Sequence, residues 1–478
     1  MEKVLEVALE RLKEVDYGEV RFVRIKRQSI NLENGIISSI DEDVEEGIGI
    51  RVVYKGCVGF ASTSSTFIDD IVKTAERAIE FAKASYRFSG KEYPFLSEGQ
   101  HIGEYITQVE KDPFAVPLEE KIDLLVRTDE ILSKNKFAVS RRAFLNFFKT
   151  EKYFLNTEGS RIKQTIYESG GGYEIWVLVD GNLQSRSYPA PHGGNHLQGG
   201  YEIVEEMDFV GNAGRISEEA VMFAKAGRIN EMETTLVVGT HQMALQIHES
   251  VGHPLELDRV IGYEASYAGT SFATIDQLGK LKYGSSLMNI VADAKTLRGL
   301  GTFGWDDEGV PAQRIELITG GILTGYLSSR DSAWAIGLKR AGGTARASSY
   351  NRMPMVRMTN INLLPDKGSL EDLISEVKDG IFVDYNKSWS IDQRRLNFQF
   401  STEVAYRIRN GKIAEPLRNV VYFGITPEFW NSLVAVGGEE EWKLWGLLNC
   451  GKGEPGQTMH TGHGSSPAVF VKVKVGSV

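Results

Sequence analysis

The chain is poor in cysteine, has no long apolar run and carries no excess of basic residues. Each lack removes a class of protein. Cys57 and Cys450 are the two cysteines among 478 residues. A disulfide scaffold of the secreted kind is therefore excluded, and a reducing compartment is expected. No segment approaches the roughly 20 apolar residues of a membrane span. The opening MEKVLEVALERLKEVDYGEV reads as an acidic amphipathic helix and lacks the uncharged core of a signal peptide. The expected location is the cytoplasm, with no membrane partner. Lys and Arg number 54 against 64 Asp and Glu, a net charge of −10. That balance argues against a generic phosphate-binding surface and against direct nucleic-acid contact.

What is present points to a globular protein of several parts. A hydrophobic share of 42% supplies apolar mass for real cores, and the length predicts two or three domains. After the first helix, short alternating runs broken at Asn34-Gly35 and Lys55-Gly56 predict an antiparallel meander. Ile68, Ile71, Val72, Ala75, Ile79 and Ala82 then recur at helical spacing. These elements form a first α+β unit, residues 1–88. A polar stretch from Phe88 to Asp112 reads as a linker. A second unit, 112–227, repeats helix plus strands, with GGG at 170–172 read as a turn. From 228 to 478 the texture is short strands and Gly turns, with one helix capped by Ser369 and Asp372 and ending before Gly380. The expected fold class is α+β: two small helix-plus-sheet units, then a large strand-rich, barrel-like domain.

The segment LQIHESVGHPLELD (245–258) holds a His-Glu pair and a second His five residues after the first. Thr240 is placed to cap a helix whose stripe is Met243, Ile247 and Val251. On a straight helix, His residues at i and i+5 point about 140° apart and cannot share an ion. Gly252 and Pro254, however, predict that the helix ends at Gly252–His253, so that His253 swings back towards His248. A lone buried His is ordinarily a hydrogen-bonded core residue. Two histidines with an intervening Glu and a helix exit favour a metal. Zinc needs about four ligands, one position being left open in a catalytic site. Cys450, in the Gly-rich LLNCGKGEPGQTMHTGHG, is the plausible soft third ligand; His460 and His463 are its rivals. Cys57 is read as a buried apolar residue in a strand. Glu249 would be the general base, taking a proton from water at the metal and passing it to the leaving amine.

Several blocks together resemble the TldD/PmbA family, whose members are also called modulators of DNA gyrase. They are GIGIRVVYKGCVGFASTS, HESVGH, DDEGVPAQRIELITGGILTGYLSSRDSA, RMPMVRMTNINLLP, FSTEVAYRIRNGKI and NCGKGEPGQ. The likeness spans nearly the whole chain. Because HExxxH is kept, it is to the TldD side. The resemblance implies a zinc peptidase acting on peptides or unfolded segments, with His248, His253 and Cys450 holding Zn²⁺ and Glu249 as base. It also implies a dimer, with a second copy or with a PmbA/TldE-like partner. The substrate would be bound mainly through its backbone, as an added β-strand. The alternative is a non-catalytic modulator of gyrase or of toxin–antitoxin components. Two stretches depart from the family pattern: TMHTGHGSSP (458–467) and DYNKSWSIDQRRLNFQF (384–400).

Other features are given bland readings. Asp306, Asp307 and Glu308 read as an exposed turn. SGGGYE and GGNHLQGGYE lack the context of a phosphate loop. Arg394 and Arg395 read as the basic edge of a strand. His192 and His196 could line a cavity.

Overall fold

The computed structural model describes residues 1–453 and 456–477. Glu454 and Pro455 of the NCGKGEPGQ segment, and Val478, lie outside the described residues. The fold is α+β. Helix Glu2–Arg11 leads into strands Tyr17–Glu33, Ile36–Tyr54 and Cys57–Thr63, then helix Ile68–Ser89. Both turns of this meander place two residues at positive φ: Asn34 and Gly35, then Lys55 and Gly56. That is the geometry a two-residue hairpin requires. Cys57 is buried in the third strand.

The next section repeats helix and meander. Helix Leu118–Leu132 is followed by strands Ala138–Asn156, Arg161–Val179, Asn182–Tyr188 and Asn195–Gln198, and later by helix Phe209–Lys225. The two meanders share one eight-stranded sheet. They join where Tyr17–Glu33 runs antiparallel to Ala138–Asn156, from Glu19↔Asn156 to Glu33↔Arg142.

Three local expectations are corrected here. The stretch read as a linker contains an edge strand, Ile102–Ile106, parallel to Arg161–Thr165. It is short and polar-flanked, so its apolar signal is weak. The glycines at 170–172 lie inside the strand Arg161–Val179. A Cβ on Gly171 would sit 2.2 Å from the Phe144 carbonyl oxygen, so glycine there marks a close backbone approach. Asp306, Asp307 and Glu308 are buried. Glu308 pairs with Arg51 at 2.6 Å, and Asp307 with Lys152 at 2.9 Å. The Asp306 carboxylate accepts backbone N–H groups of Glu308, Val310 and Ala345. Asp307 and Glu308 therefore clamp the C-terminal region onto the N-terminal sheet, while Asp306 holds their turn. Partners so distant in sequence leave no local signal.

The C-terminal region contains a closed five-strand barrel. Strand Met232–Val238 runs parallel to Asp379–Ile391 and antiparallel to Ala468–Ser477. Ala468–Ser477 pairs with Val420–Ile425, that strand with Asn397–Arg409, and the last pairing returns to Asp379–Ile391. Inward residues such as Leu236, Val383, Phe400, Tyr422 and Phe470 fill its core. The capping box of Ser369 and Asp372 is present, but that helix, Leu370–Ser375, ends earlier than Gly380. Gly380 already belongs to a barrel strand. No helix among the described residues is long and apolar enough to cross a membrane.

Candidate metal centre

The helix Thr240–Ile247 leaves the barrel directly after strand Met232–Val238. The stripe Met243, Ile247 and Val251 is fully buried in the barrel core. Thr240 does not cap the helix. Instead the Asp384 carboxylate, from a neighbouring barrel strand, accepts the Gln242 N–H at 3.0 Å. A carboxylate there meets the positive end of the helix dipole.

The helix does not end at Gly252. It widens into a π-turn, His248–Gly252, in which the His253 N–H donates to the His248 carbonyl, and a 3₁₀ turn His253–Leu255 follows. His253 keeps helical dihedrals despite Pro254. The wider turn, with its i→i+5 bond, brings residue i+5 over residue i. That is how the two imidazoles meet, with ring centroids 4.8 Å apart. Gly252 is needed for packing: a Cβ there would lie 2.2 Å from the Met358 sulfur. Side chains satisfy the altered backbone. The Ser250 hydroxyl donates to the Gln246 carbonyl, and the Tyr283 hydroxyl to the Ser250 carbonyl, each at 2.5 Å.

Cys450 arrives from the hairpin of strands Lys443–Lys452 and Gln457–Ser465. Its Sγ lies 3.8 Å from His253 Nε2. Donor atoms of His248, His253 and Cys450 all fall within 4.8 Å of one another, and all three residues are buried. A tetrahedral zinc with bonds of about 2.0–2.3 Å closes such a spread with small side-chain movements. Both imidazoles have their other nitrogen engaged. His248 Nδ1 meets His463 Nε2 at 2.7 Å, and His253 Nδ1 meets Glu256 Oε2 at 2.9 Å. Each imidazole thus has Nε2 left for a ligand bond, oriented by a partner behind it.

The electrostatics suit a cation. Burial pushes both imidazoles down, His253 well below the ordinary histidine value, which keeps them neutral and able to ligate. Burial pushes the Cys450 thiol up, but the charge of Arg357 and the hydrogen-bonding contact with His253 outweigh it and leave it below its ordinary value. Arg357 also donates to the Cys450 carbonyl. Beneath the site the Lys452 ammonium, fully buried, meets Asp258 at 2.7 Å, Glu264 at 3.3 Å and Glu256 at 3.4 Å.

Glu249 is buried and ion-paired with Arg395. Both line a cavity of about 400 Å³ with His248, His253 and Cys450, whose lining also includes Leu245, Ile391 and Trp389. Of the two other lining histidines, His192 bonds Asn386 at 3.1 Å. His241 accepts the Asn386 N–H at 3.3 Å and stacks on Tyr385. His460 points away, to Glu168 at 2.7 Å. His460 and His463 are three apart on one strand and so face opposite sides. His196 is buried beyond this cavity, its Nε2 unpaired. Arg394 and Arg395 belong to the tight turn between Asp379–Ile391 and Asn397–Arg409, not to a strand edge. The sequence reading missed Glu256, Lys452, Arg357 and Asp384. Only Glu256, three residues after His253, had a local signal.

Burial holds His196 and His241 neutral, each pushed down to about 3. An unfolded histidine protonates near 6.5. Between those values the unfolded chain binds more protons. Stability is therefore full above pH 6.5 and is lost as pH falls towards 3, by about 1.4 kcal/mol per pH unit per histidine. Denaturant midpoints should fall steadily from pH 6.5 to 4.5, and His241→Gln should flatten the slope. A flat profile in the wild type would contradict the burial of these imidazoles.

Fold and site together define a mixed α+β protein with a buried His-His-Cys cluster able to hold a metal ion. Residues 231–477 match the PmbA/TldA metallopeptidase C-terminal domain, 111–228 its central domain and 18–82 its domain 1. The chain belongs to this PmbA/TldD family. A Metalloprotease TldD homolog of Buchnera aphidicola is 30% identical, covering 97% of this chain and 93% of that protein. A metalloprotease of Methanocaldococcus jannaschii is 28% identical, covering 97% and 96%. Among solved structures, TldE from Thermococcus kodakarensis superposes with a TM-score of 0.72 at 17% identity, over 99% of each chain. That degree of identity speaks to the fold alone.

Proposed function

We propose that the chain is a zinc-dependent peptidase of peptides or unfolded protein segments. The observation that carries this is the convergence of two oriented imidazoles and a thiol in a buried cavity beside Glu249. His248, His253 and Cys450 would hold the ion. A bound zinc supplies Lewis acidity and brings the pKa of water down to about 7. Glu249 accepts the proton of the attacking water and delivers it to the departing amine nitrogen. His463 and Glu256 hold the two imidazoles in register, and the cavity walls limit access of bulk water. The hairpin bearing Cys450 slips register between Leu447 and Cys450. The substrate would be read mainly through its backbone, as an added β-strand. The family resemblance implies a dimer, either of two copies or with a TldE-like partner.

The test is digestion of a denatured protein by the purified chain, with and without chelator. Cleavage that stops with chelator and returns with zinc is expected. Capture without cleavage points to the non-catalytic modulator. Cys450→Ser should lose bound zinc by metal analysis. One zinc per chain in that variant would assign the third ligand to His463, since His460 faces away. His463→Ala should weaken zinc about 10- to 100-fold, since it orients a ligand without binding the ion.

A further inference from the structure

Arg395 is the single arginine or lysine among the described residues lining the metal cavity. Its guanidinium pairs with Glu249 through Nη1, while its enclosed Nε has no partner. The charge reaches both imidazoles, disfavouring their protonated forms. The backbone that presents it is costly. Arg395 has φ +63°, a left-handed conformation that suits glycine. The turn is nevertheless pinned. Arg395 N–H donates to the Asp392 carbonyl, and its carbonyl accepts the Thr426 hydroxyl at 2.8 Å. Beside it, Arg259 donates to the Gln393 carbonyl at 3.3 Å and Phe272 N–H to the Arg394 carbonyl at 3.1 Å. These restraints hold the turn, and Arg395 with it, at the cavity wall.

Resting on the hydrolytic reading above, we propose that Arg395 stabilises the oxyanion of the scissile carbonyl. Water attacks the carbonyl carbon and gives its proton to Glu249. The carbonyl π pair moves onto oxygen, where the guanidinium donates a hydrogen bond to the new negative charge. The pair then returns, the C–N bond breaks, and Glu249 passes its proton to the amine. A carboxylic acid and an amine result, with no other reactant. The ion pair seen here places Arg395 beside the base, in the same cavity as His248, His253 and Cys450. Cations and donors placed where charge develops favour the transition state over the ground state.

Arg395→Gly is the chosen variant, because glycine accepts the turn's positive φ and the fold should survive. With a fluorogenic unstructured peptide, kcat should fall about 100- to 1000-fold, KM should change little, and zinc content should stay at the wild-type value. Methylguanidinium should restore part of kcat. A phosphinic peptide mimicking the tetrahedral anion should bind the variant more weakly by a similar factor. Unchanged kcat, or no loss of phosphinic affinity, would overturn the proposal. So would a loss confined to free-acid peptides and absent from amidated ones, which would assign Arg395 to a terminal carboxylate. A wild type that cleaves no peptide overturns the hydrolytic reading itself, and this inference with it.

Discussion

Glu249→Gln should lower hydrolysis of a denatured protein about 100- to 10,000-fold, the range expected for loss of a general base, with zinc content unchanged. The two halves come from different features. Glu249 lies beside His248 in sequence and in the cavity, yet is not among the three clustered donors. Glutamine keeps its size but cannot take a proton from water. The ion pair to Arg395 is lost, but Arg395 keeps some contact with solvent, so the fold should be little affected. Loss of zinc along with activity would make Glu249 a ligand. Full activity would remove it from the chemistry.

Lys452→Met should destabilise the protein by about 3–5 kcal/mol, because removing one member of a buried ion cluster leaves its partners uncompensated. Lys452 is enclosed, with Asp258, Glu256 and Glu264 around its ammonium and the Val356 carbonyl at 2.6 Å. Methionine fills the volume and supplies none of the donors. Glu256 also holds His253, so zinc affinity should fall with stability. Adding Asp258→Asn should recover part of the loss by removing one orphaned charge. Differential scanning fluorimetry with and without chelator separates the two effects. A melting temperature equal to that of the wild type would show that the cluster is not needed as a unit.

How much of this was legible in the sequence depends on the range of each interaction. Turns set by residue type read correctly, as at Asn34-Gly35 and in the Ser369 capping box. The HExxxH pair and Cys450 could be picked out as residue types able to bind metal. Their meeting was foreseen, but by the wrong route. Gly252 and Pro254 suggested a helix exit, whereas the backbone widens into a π-turn, held by Ser250 and Tyr283. Nothing local announces a π-turn, since the hydroxyl of Tyr283 lies far along the chain. The burial of Asp306–Glu308 and the pairing of Arg395 with Glu249 escaped for the same reason: their ion-pair partners come from remote segments of the chain.

The central claim is that His248, His253 and Cys450 form one zinc site. X-ray absorption at the zinc edge of the purified protein tests it most directly. The expected spectrum has two imidazole nitrogens at about 2.0–2.1 Å, one sulfur at about 2.3 Å and a further light atom, with the sulfur shell lost in Cys450→Ser. A wild-type spectrum with no sulfur shell, or one unchanged by Cys450→Ser, would contradict the assignment.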